Sequence, residues 1–521
     1  MAFLPRRDGP DLRAPGYPDP PSGVFSPGQP ATSTASRTSV PRSEHSPRGP
    51  EPRTRAPLAY PRDVRLPVPL AAEIAAARAV AGLSRLVGAG GGTTMPGKLL
   101  ARLDPDAIDR LAARLPVGTA VVSATNGKTT TTAMAAEILR PRVRLAYNAA
   151  GANLVSGVAS TLLAADGAEL GLFEVDEAAL PQLVRRVRPR VVCLGNLFRD
   201  QLDRYGELEL VAERWRAAVA GLPTGTRLVV NGDDPQLAGL ADAHEPVTVF
   251  GVDDPRLARP SLQHAADSKY CIRCGAPYEY AAAYVGHLGD YRCPSCGHAR
   301  PQLDVAARDV ELHGLEAAAF SLETPEGSRR VELRLPGLYN VYNAVAAAAL
   351  ARALGASLDE VADGLGRFSA AFGRFERIPV DGKQLLLLLV KNPAGANEVV
   401  RTLVDGPPPS TVVVALNDEI ADGRDVSWIW DVDFEPLLAG LDRVVASGAR
   451  SAELALRLTY GGLDEEAVEV EPDLARALDR GLELTPAGGE LVVLPTYTAM
   501  LALQRLVTER GLVRPYWERA G

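Results

Sequence analysis

The sequence predicts an α/β protein with two sheet-containing domains and a cysteine-rich module inserted in the first. Short apolar segments alternate with helical patterns from residue 119 and again after residue 384, which is typical of parallel sheets covered by helices. Residues 121–131, VVSATNGKTTT, place a glycine–lysine–threonine turn between a strand and a helix. Four of the five cysteines lie within residues 271–296.

Length and composition restrict the class of protein. The 521 residues suffice for about two to four domains, and 46% hydrophobic with 23% charged residues is ordinary for a globular chain. The formal charge of −8 gives no indication of nucleic-acid binding. No stretch approaches the roughly 18 consecutive apolar residues of a membrane-spanning helix. The cysteine usage is that of a reducing compartment, so we expect a cytoplasmic protein.

Residues 1–61 differ from the rest of the chain. They are rich in proline, serine, threonine and arginine and have few apolar residues, so they cannot bury enough surface to offset chain entropy. We predict a disordered N-terminal extension. The pair Arg6-Arg7 is not followed by the apolar region that an export signal needs.

Helix and strand patterns follow in order along the remaining chain. A helix is predicted over 68–90. In the first α/β unit, strands are predicted at TAVVSA, RLAYN, LGLFEV and RVVCLGN. The helices predicted between them are 129–140, 155–165 and 178–187. Strands beginning at 304, 317 and 329 read as antiparallel, before helices 341–354 and 358–366. Residues 372–384 read as a linker. In the second unit, strands are predicted at LLLLLVKN, TVVVALN, RVVASG, AVEVEP and ELVVLPTYTA. Helix 395–404 is predicted after the first of these strands and helix 451–459 after the third.

The turn after the first strand has the composition of a phosphate-binding loop. Amides of the turn and helix start point at an anion, Lys128 adds a charge for the β- and γ-phosphates, and Thr129 can hold Mg²⁺. The general GxxxxGK[ST] pattern asks for glycine where Val122 stands, so this is a variant loop. An ordinary strand–turn–helix junction is the alternative, which the rarity of lysine (five in the chain) disfavours. The predicted ATP-binding residues are Thr125, Asn126, Gly127, Lys128, Thr129 and Thr130.

The four clustered cysteines have the spacing of a zinc ribbon. Two C-x2-C pairs, Cys271 with Cys274 and Cys293 with Cys296, are separated by 18 residues. Four thiolates leave no coordination position for water, so we predict a structural Zn²⁺. Metal-free cysteines, a catalytic zinc and a nucleic-acid-binding ribbon are the alternatives. Cys193, in the apolar run VVCLGN, reads as a small core residue.

The loop ATNGKTTT closely resembles that of the Mur ligase and folylpolyglutamate synthase superfamily. Five further segments match motifs of that superfamily in order: FEVDE, GNLFRDQLDRYGE, NGDDP, LYNVYNA and GRFE. The resemblance implies that Thr129 and Glu174 hold Mg²⁺ and that Lys128 and Glu174 act in catalysis. It also implies that Asn231 and Asn340 lie near adenine and Arg374 near the phosphates.

The chain departs from that superfamily at three places. Gln201 replaces a histidine, which puts a second Mg²⁺ in doubt. No lysine lies between Lys128 and Lys269, so the carbamylated lysine of amino-acid-adding Mur ligases has no counterpart. The segment LVKNPAG, 389–395, replaces D-Y-A-H-N-P. These departures indicate a reaction other than ordinary amino-acid addition.

From about residue 62 onward the chain is similar to the MurT-type subunits of lipid II isoglutaminyl synthase. The resemblance implies a Mur-ligase-like ATP-binding domain over 62–378, with a zinc ribbon at about 265–302, and a Rossmann-like domain over 379–521 that contacts a partner. The implied reaction is ATP-dependent amidation of the α-carboxylate of D-glutamate in the lipid II stem peptide, through an acyl phosphate, to D-isoglutamine. Ammonia would come from a class I, GatD-type glutaminase in a heterodimer.

The residues themselves also indicate a separate source of ammonia. A glutaminase of that class needs a cysteine nucleophile and a histidine base, but four cysteines are assigned to metal and no histidine follows His313. Residues 416–431, LNDEIADGRDVSWIWD, offer carboxylates on a polar loop and two tryptophans, a residue type enriched at interfaces. The resemblance implies that Asp425 completes the glutaminase triad in trans. Asp422 is the runner-up, and a solvated acidic loop is the alternative.

Three rival functions are a stand-alone Mur or folylpolyglutamate-type amino-acid ligase, a zinc-ribbon protein acting on nucleic acid, and a non-catalytic scaffold that retains ATP binding. The sequence leaves open the stoichiometry of the complex, the choice between lipid-linked and soluble precursor, and peripheral contact with the inner membrane face.

Overall fold

A computed structural model of the chain describes residues 95–148, 152–200, 208–263, 266–369, 375–406, 409 and 411–513. The extension predicted for 1–61, the helix predicted over 68–90, Gln201 and Arg374 lie outside these ranges. No helix within the described ranges combines the length and apolar character needed to cross a membrane.

The first domain is built on a nine-stranded sheet. Its strands are β1 (Gly118–Ser123), β2 (Leu145–Tyr147), β3 (Leu170–Glu174), β4 (Val191–Leu194), β5 (Arg227–Asn231), β6 (Val247–Val252), β9 (Val305–His313), β10 (Ala317–Thr324) and β11 (Gly327–Leu333). They lie in the order β11-β10-β9-β6-β5-β4-β1-β3-β2. Its helices are α1 (Met95–Leu103), α2 (Ala107–Ala112), α3 (Lys128–Leu139), α4 (Val155–Ala164), α5 (Leu180–Val187), α6 (Leu208–Ala220), α7 (Pro235–Ala241), α8 (Leu338–Ala353) and α9 (Leu358–Arg367).

The connections of this sheet determine where a site can form. Strands β1 to β6 and β9 pair in parallel, whereas β9, β10 and β11 pair antiparallel with one another, as predicted. Strands β3 and β2 lie on one side of β1, and β4, β5 and β6, which follow later in the chain, lie on the other. Such a reversal opens a crevice at the carboxyl ends of the strands. The ends of β1, β3 and β4 therefore meet at one place.

The cysteine module lies between β6 and β9. It contains the antiparallel hairpin of β7 (Glu279–Val285) and β8 (Leu288–Arg292), with the four cysteines in two turns beside it. Gly275 and Gly297, with φ of 75° and 77°, donate their amides to the carbonyl oxygens of Cys271 and Cys293 at 2.8 and 3.0 Å. Each C-x2-C pair thus forms a tight turn that closes on its first cysteine, as the zinc-ribbon spacing predicts.

The second domain has a six-stranded sheet. Its strands are β12 (Phe375–Val380), β13 (Lys383–Leu388), β14 (Thr411–Ala415), β15 (Arg443–Ser447), β16 (Val468–Val470) and β17 (Glu490–Pro495). They lie in the order β12-β13-β17-β14-β15-β16, and all pairs except β12 with β13 are parallel. Its helices are α10 (Pro393–Val404), α11 (Glu435–Leu438), α12 (Ser451–Tyr460), α13 (Leu474–Leu484) and α14 (Tyr497–Glu509).

The prediction of a linker over 372–384 is wrong for residues 375–380, which form β12, and for residues 383–384, which begin β13. This strand pairs antiparallel with β13 through Asp381 and Gly382, both with positive φ (48° and 76°). An Asp-Gly pair favours the two-residue turn whose twist matches that of the flanking strands. The sequence therefore carried the hairpin signal. The hairpin also spans the predicted domain boundary at 378/379.

Candidate active site

The phosphate loop lies at the crevice of the first sheet, between β1 and α3. Gly127 has a φ of 82°, and a Cβ built on it would lie 1.9 Å from Asn343 Oδ1, so only glycine fits there. Lys128 is the first residue of α3, whose start directs unpaired amides and a partial positive charge towards the loop. The backbone thus has the form of an anion-binding turn.

The ammonium group of Lys128 is enclosed by the loop and by an acidic neighbour. It donates to the carbonyl oxygens of Ala124 and Thr125 and to Glu177 Oε2, the last at 2.8 Å. Lys128 and Glu177 are 6% and 5% exposed. Burial lowers the pKa of Lys128, but the charge and hydrogen bond of Glu177 outweigh it, so the net pKa is above its ordinary value. A cation is therefore held at the loop at neutral pH.

Glu174 is where the sequence analysis predicts a magnesium ligand, at the carboxyl end of β3 and 2% exposed. Its Oε1 accepts from Asn153 at 3.3 Å, and its amide donates to Asn148 Oδ1 at 2.9 Å. Thr129, the other predicted ligand, is in the first turn of α3. Carboxylate and hydroxyl oxygens are the hard donors that Mg²⁺ prefers, so this donor set fits the ion.

The end of β4 supports the loop from the other side. Asn196 accepts from the Asn126 amide at 2.8 Å and donates to the Asn126 carbonyl at 3.0 Å. The Thr125 hydroxyl accepts from the amide of Phe198 at 3.0 Å. Thr125 and Asn126 thus shape the loop through these bonds.

The second domain reaches this loop with Lys391 and Asn392. Lys391 Nζ lies 2.5 Å from Asp200 Oδ2 and 3.2 Å from the Thr125 carbonyl oxygen. The Asn392 and Asn126 side-chain amides exchange two hydrogen bonds, at 2.9 and 3.2 Å. Asp200 Oδ1 is buried and has no hydrogen-bond partner among the residues that the structure describes. Two domains therefore share one polar centre at the loop.

A cleft runs from the phosphate loop along α8 to the second domain; we call it the nucleotide cleft. Its lining includes Asn126, Gly127, Thr130, Asn340, Asn343 and Lys391. Asn340 donates to the Pro336 carbonyl at 2.8 Å and accepts from Asn343 at 3.2 Å. Asn340, which the family resemblance implies near adenine, thus lines the same cleft as the phosphate loop.

Asn231, the other residue implied near adenine, is fully buried. Its side chain donates to the Gly195 carbonyl at 2.9 Å and accepts from the Asp233 amide at 3.0 Å. These bonds fix the backbone after β4 and β5.

A second cleft, which we call the transfer cleft, joins the acidic loop to the phosphate loop. It is lined by Asp425, Ser427, Trp428 and Asp431 on one side and by Asp200 and Lys391 on the other. The residues on the first side follow the carboxyl end of β14 in the second sheet. On the other side, Lys391 follows β13 of the second sheet, and Asp200 follows β4 of the first. Lys391 lines both clefts and is their junction.

The carboxylates of the acidic loop have different partners. Asp418 pairs with Arg450 at 3.6 Å, and Asp431 with Arg199 at 3.7 Å. Asp422 is buried and accepts from the Thr498 amide at 2.8 Å and from its hydroxyl at 2.5 Å. These three carboxylates hold the loop in place.

Asp425 is exposed and bonds within its own turn. Its Oδ1 accepts from the Ser427 amide at 2.9 Å. Hydrogen bonds from the Ser427 hydroxyl and amide hold the pKa of Asp425 below its ordinary value, so the carboxylate is ionised at neutral pH. Of the two candidates, Asp425 is the exposed one, whereas Asp422, which also lines the transfer cleft, is buried and bonded to Thr498.

Apolar side chains are exposed beside this loop. Trp430 packs edge-on against Tyr460, with ring centroids 5.7 Å apart, and these residues are 47% and 75% exposed. Ile420, at 72%, is exposed in the loop itself. Exposed aromatic rings of this kind are typical of protein–protein interfaces.

The four clustered cysteines converge on one point. The Sγ atoms of Cys271 and Cys296 are 3.5 Å apart, as are those of Cys274 and Cys293, and all four lie within 4.8 Å of one another. Zn–S bonds of about 2.3 Å in a tetrahedron require Sγ separations of about 3.8 Å. The donor set therefore fits Zn²⁺. Cys193 is fully buried, and burial raises the pKa of its thiol to about 12, which excludes a nucleophile there.

Several residues of this centre were missed by the sequence analysis. Glu177 contacts the lysine of the phosphate loop, Asn196, Lys391 and Asn392 contact the loop itself, and Asp200 contacts Lys391. Lys391 carried a signal, because lysine is rare and LVKNPAG stands where the superfamily has a functional motif. The contacts themselves join residues up to 266 positions apart, which local patterns do not reveal.

Comparison with known proteins gives two family matches. Residues 122–280 match the Mur ligase middle domain, and residues 389–500 match the MurT ligase C-terminal domain. The chain is 34% identical over 439 residues to the lipid II isoglutaminyl synthase (glutamine-hydrolyzing) subunit MurT of Streptococcus pneumoniae, covering 83% of this chain and 95% of that one. It is 29% identical over 423 residues to the subunit of the same name from Staphylococcus aureus, covering 80% and 93%.

Solved structures share the fold. A pseudomurein peptide ligase type C from Methanothermus fervidus has a TM-score of 0.62 at 22% identity, covering 78% of this chain and 81% of that one. MurF from Acinetobacter baumannii has a TM-score of 0.58 at 20% identity, covering 79% and 80%. The Mur ligase architecture predicted from the sequence is thereby confirmed.

Proposed function

The chain belongs to the MurT family of Mur ligases, and from this premise we propose that it is the ATP-dependent subunit of a lipid II isoglutaminyl synthase. The reaction amidates the α-carboxylate of D-glutamate in the stem peptide and gives D-isoglutamine. The relatives named for this activity favour it over the alternative of a stand-alone amino-acid ligase. The name of these relatives, lipid II isoglutaminyl synthase, supports a lipid-linked precursor as the substrate, and we place the reaction in the cytoplasm.

The phosphate loop and its neighbours activate the carboxylate. When bound, Mg²⁺–ATP would supply the γ-phosphoryl group that converts the carboxylate to an acyl phosphate with release of ADP, and ammonia would then attack the acyl carbon and displace inorganic phosphate. The loop amides and Lys128 bind the phosphates and offset charge that develops during transfer. Glu174 and Thr129 would hold the ion, and Asn340 would lie against the base. Arg374, which lies outside the described residues, stays a prediction near the phosphates.

Ammonia reaches this centre from a partner glutaminase that docks on the second domain. The observation that carries this proposal is the transfer cleft, in which the exposed Asp425 shares a lining with Lys391 and Asp200 at the phosphate loop. A carboxylate that orients an imidazole and stabilises its charged form raises the reactivity of a cysteine–histidine pair. Asp425 serves the partner in this way, and the exposed side chains of Ile420, Trp430 and Tyr460 bind it.

The cysteine module holds one structural Zn²⁺ through Cys271, Cys274, Cys293 and Cys296. A site of four thiolates leaves no position for water, so the ion stabilises the fold and takes no part in the chemistry.

The test separates the two half-reactions. We expect Asp425→Asn, mixed with the wild-type glutaminase, to reduce glutamine-dependent amidation by about a hundredfold or more, because the triad loses its charged member. Amidation from added ammonium should persist, because the ATP site is intact. Lys128→Ala should abolish both rates; because it also breaks the buried pair with Glu177 and lowers stability, circular dichroism checks that the variant is folded.

The matched control is Asp418→Asn in the same loop, which should keep both rates because Asp418 pairs within this chain. If Asp425→Asn keeps both rates, or loses both together with ATP turnover, Asp425 has no role in trans. Full activity of Lys128→Ala would refute the ATP site.

A further inference from the structure

The hairpin of the cysteine module extends from the cysteine cluster to the nucleotide cleft. Strand β8 ends next to Cys293, whereas the hairpin tip, Val285–Leu288, lies at the opposite end. The side chains of Val285, His287 and Leu288 are 5%, 0% and 2% exposed. Val285 and Leu288 line the same cleft as Gly127 and Asn340. The inserted module thus contributes side chains to the nucleotide cleft, beside the phosphate loop.

The hairpin tip contacts the support of the phosphate loop. The His287 ring lies 4.7 Å from the ring of Phe198, whose amide bonds to Thr125 of the loop. Gly286 has a φ of 58°, and a Cβ built there would lie 2.8 Å from the Phe198 ring. The close approach of hairpin and Phe198 therefore depends on glycine.

The other side of the hairpin is bonded to the second domain. The Tyr284 carbonyl oxygen accepts from Arg401 of α10 at 3.0 Å and from Arg259 at 3.3 Å. Arg259 also pairs at 2.7 Å with Glu398, a buried carboxylate on α10. The hairpin consequently fixes the helix whose N-terminal cap, Asn392, bonds to the phosphate loop.

We propose that this hairpin is part of the nucleotide site: Val285 and Leu288 form an apolar wall against the base, and the Tyr284 carbonyl holds α10 in place for binding. A nucleobase has apolar faces, and apolar side chains commonly supply most of the contact area in such sites. The cysteine module is then a binding element as well as a structural one. This inference rests on the proposed ATP site.

Photolabelling locates the base directly in the unmodified protein. An ATP analogue with an azido group on adenine, irradiated with the complex of this chain and its glutaminase, should label residues 279–292. Label confined to other segments, and competed by ATP, would overturn the inference.

Truncating the wall gives a second measurement. We expect Leu288→Ala to raise the Kd for ADP, measured by calorimetry, by about tenfold, because it removes apolar contact with the base. The matched control is Ile272→Ala in the same module, which packs on α7 at Gly239 and should leave Kd within about twofold. Equal Kd changes in both variants, or none in Leu288→Ala, would overturn the proposal.

The two proposals fail differently. If the wild-type complex binds no adenine nucleotide, the proposed ATP site fails. If it binds ADP and Leu288→Ala binds equally well, only the role of the hairpin fails. If Leu288→Ala does not fold, the photolabelling result decides.

Discussion

At the scale of single residues, the buried pair of Lys128 and Glu177 controls the charge of the phosphate loop. Burial raises the pKa of Glu177, but the charges of Lys128 and Lys391 outweigh it and hold the pKa below the ordinary 4.5. Both members of the pair are therefore charged at neutral pH. The stability that Glu177 contributes is present above pH 4.5 and is lost as the pH falls through its lower folded pKa.

We expect Glu177→Gln to lower the free energy of unfolding by about 3 kcal/mol near neutral pH, because a buried ammonium loses its counter-charge. The loss should shrink in acid, where the wild-type carboxyl is itself protonated. Chemical denaturation at several pH values measures both. Glu137→Gln, in a surface pair with Arg140, is the control and should cost less than about 1 kcal/mol. A loss independent of pH would contradict the electrostatic explanation.

At the scale of elements, the first turn of α10 has two tasks. Asn392 Oδ1 caps the helix by accepting from the Gly395 amide at 2.9 Å, while its amide nitrogen donates to Asn126 of the phosphate loop. An aspartate at a helix N-cap accepts as well as asparagine does, but it cannot donate. The two tasks can therefore be separated by substitution.

We expect Asn392→Asp to keep the helix cap but to raise the Kd for ADP several-fold, because one of the two hydrogen bonds between α10 and the loop, the one that Asn392 donates to Asn126, is lost. Asn392→Ala should raise Kd similarly and also cost about 1 kcal/mol of stability through the missing cap. Calorimetric binding and thermal melts distinguish the two effects. Unchanged Kd in both variants would show that the interdomain bond does not shape the nucleotide site.

At the scale of the whole molecule, the cysteine module packs on the first domain and bonds to the second. Buried Tyr278, Tyr291, Cys271 and Cys293 form a small core with Ala238 of α7. A core of this size gives little stability by itself, and metal binding in such modules is largely folding free energy.

We therefore expect Cys271→Ser to lower the melting temperature of the chain and its solubility, instead of removing catalysis selectively. Elemental analysis of natively purified protein should give one zinc per chain, and less in this variant. Cys193→Ser, which lies outside the cluster, is the control and should keep the metal. Protein purified without zinc, yet stable and active, would refute the structural zinc.

The sequence alone determined the features that depend on local patterns. Alternating apolar segments predicted the parallel sheets, the cysteine spacing predicted the cluster, and the glycine–lysine–threonine turn predicted the phosphate loop. Each depends on a short run of residues, whose hydrogen bonds and periodicity are set within that run. The hairpin at Asp381–Gly382 was also within reach, because its turn signal is local.

Only the tertiary structure decided which distant residues meet. The packing of separate strands and helices brings Glu177 into contact with Lys128, Lys391 into contact with Asp200, and the hairpin tip into contact with Phe198. The same packing leaves Asp425 exposed and buries Asp422. The physical reason is that parallel strands bring their carboxyl ends together whatever their separation in sequence. Burial then sets which carboxylates remain accessible and which hold the fold, and no periodicity in the chain encodes that choice.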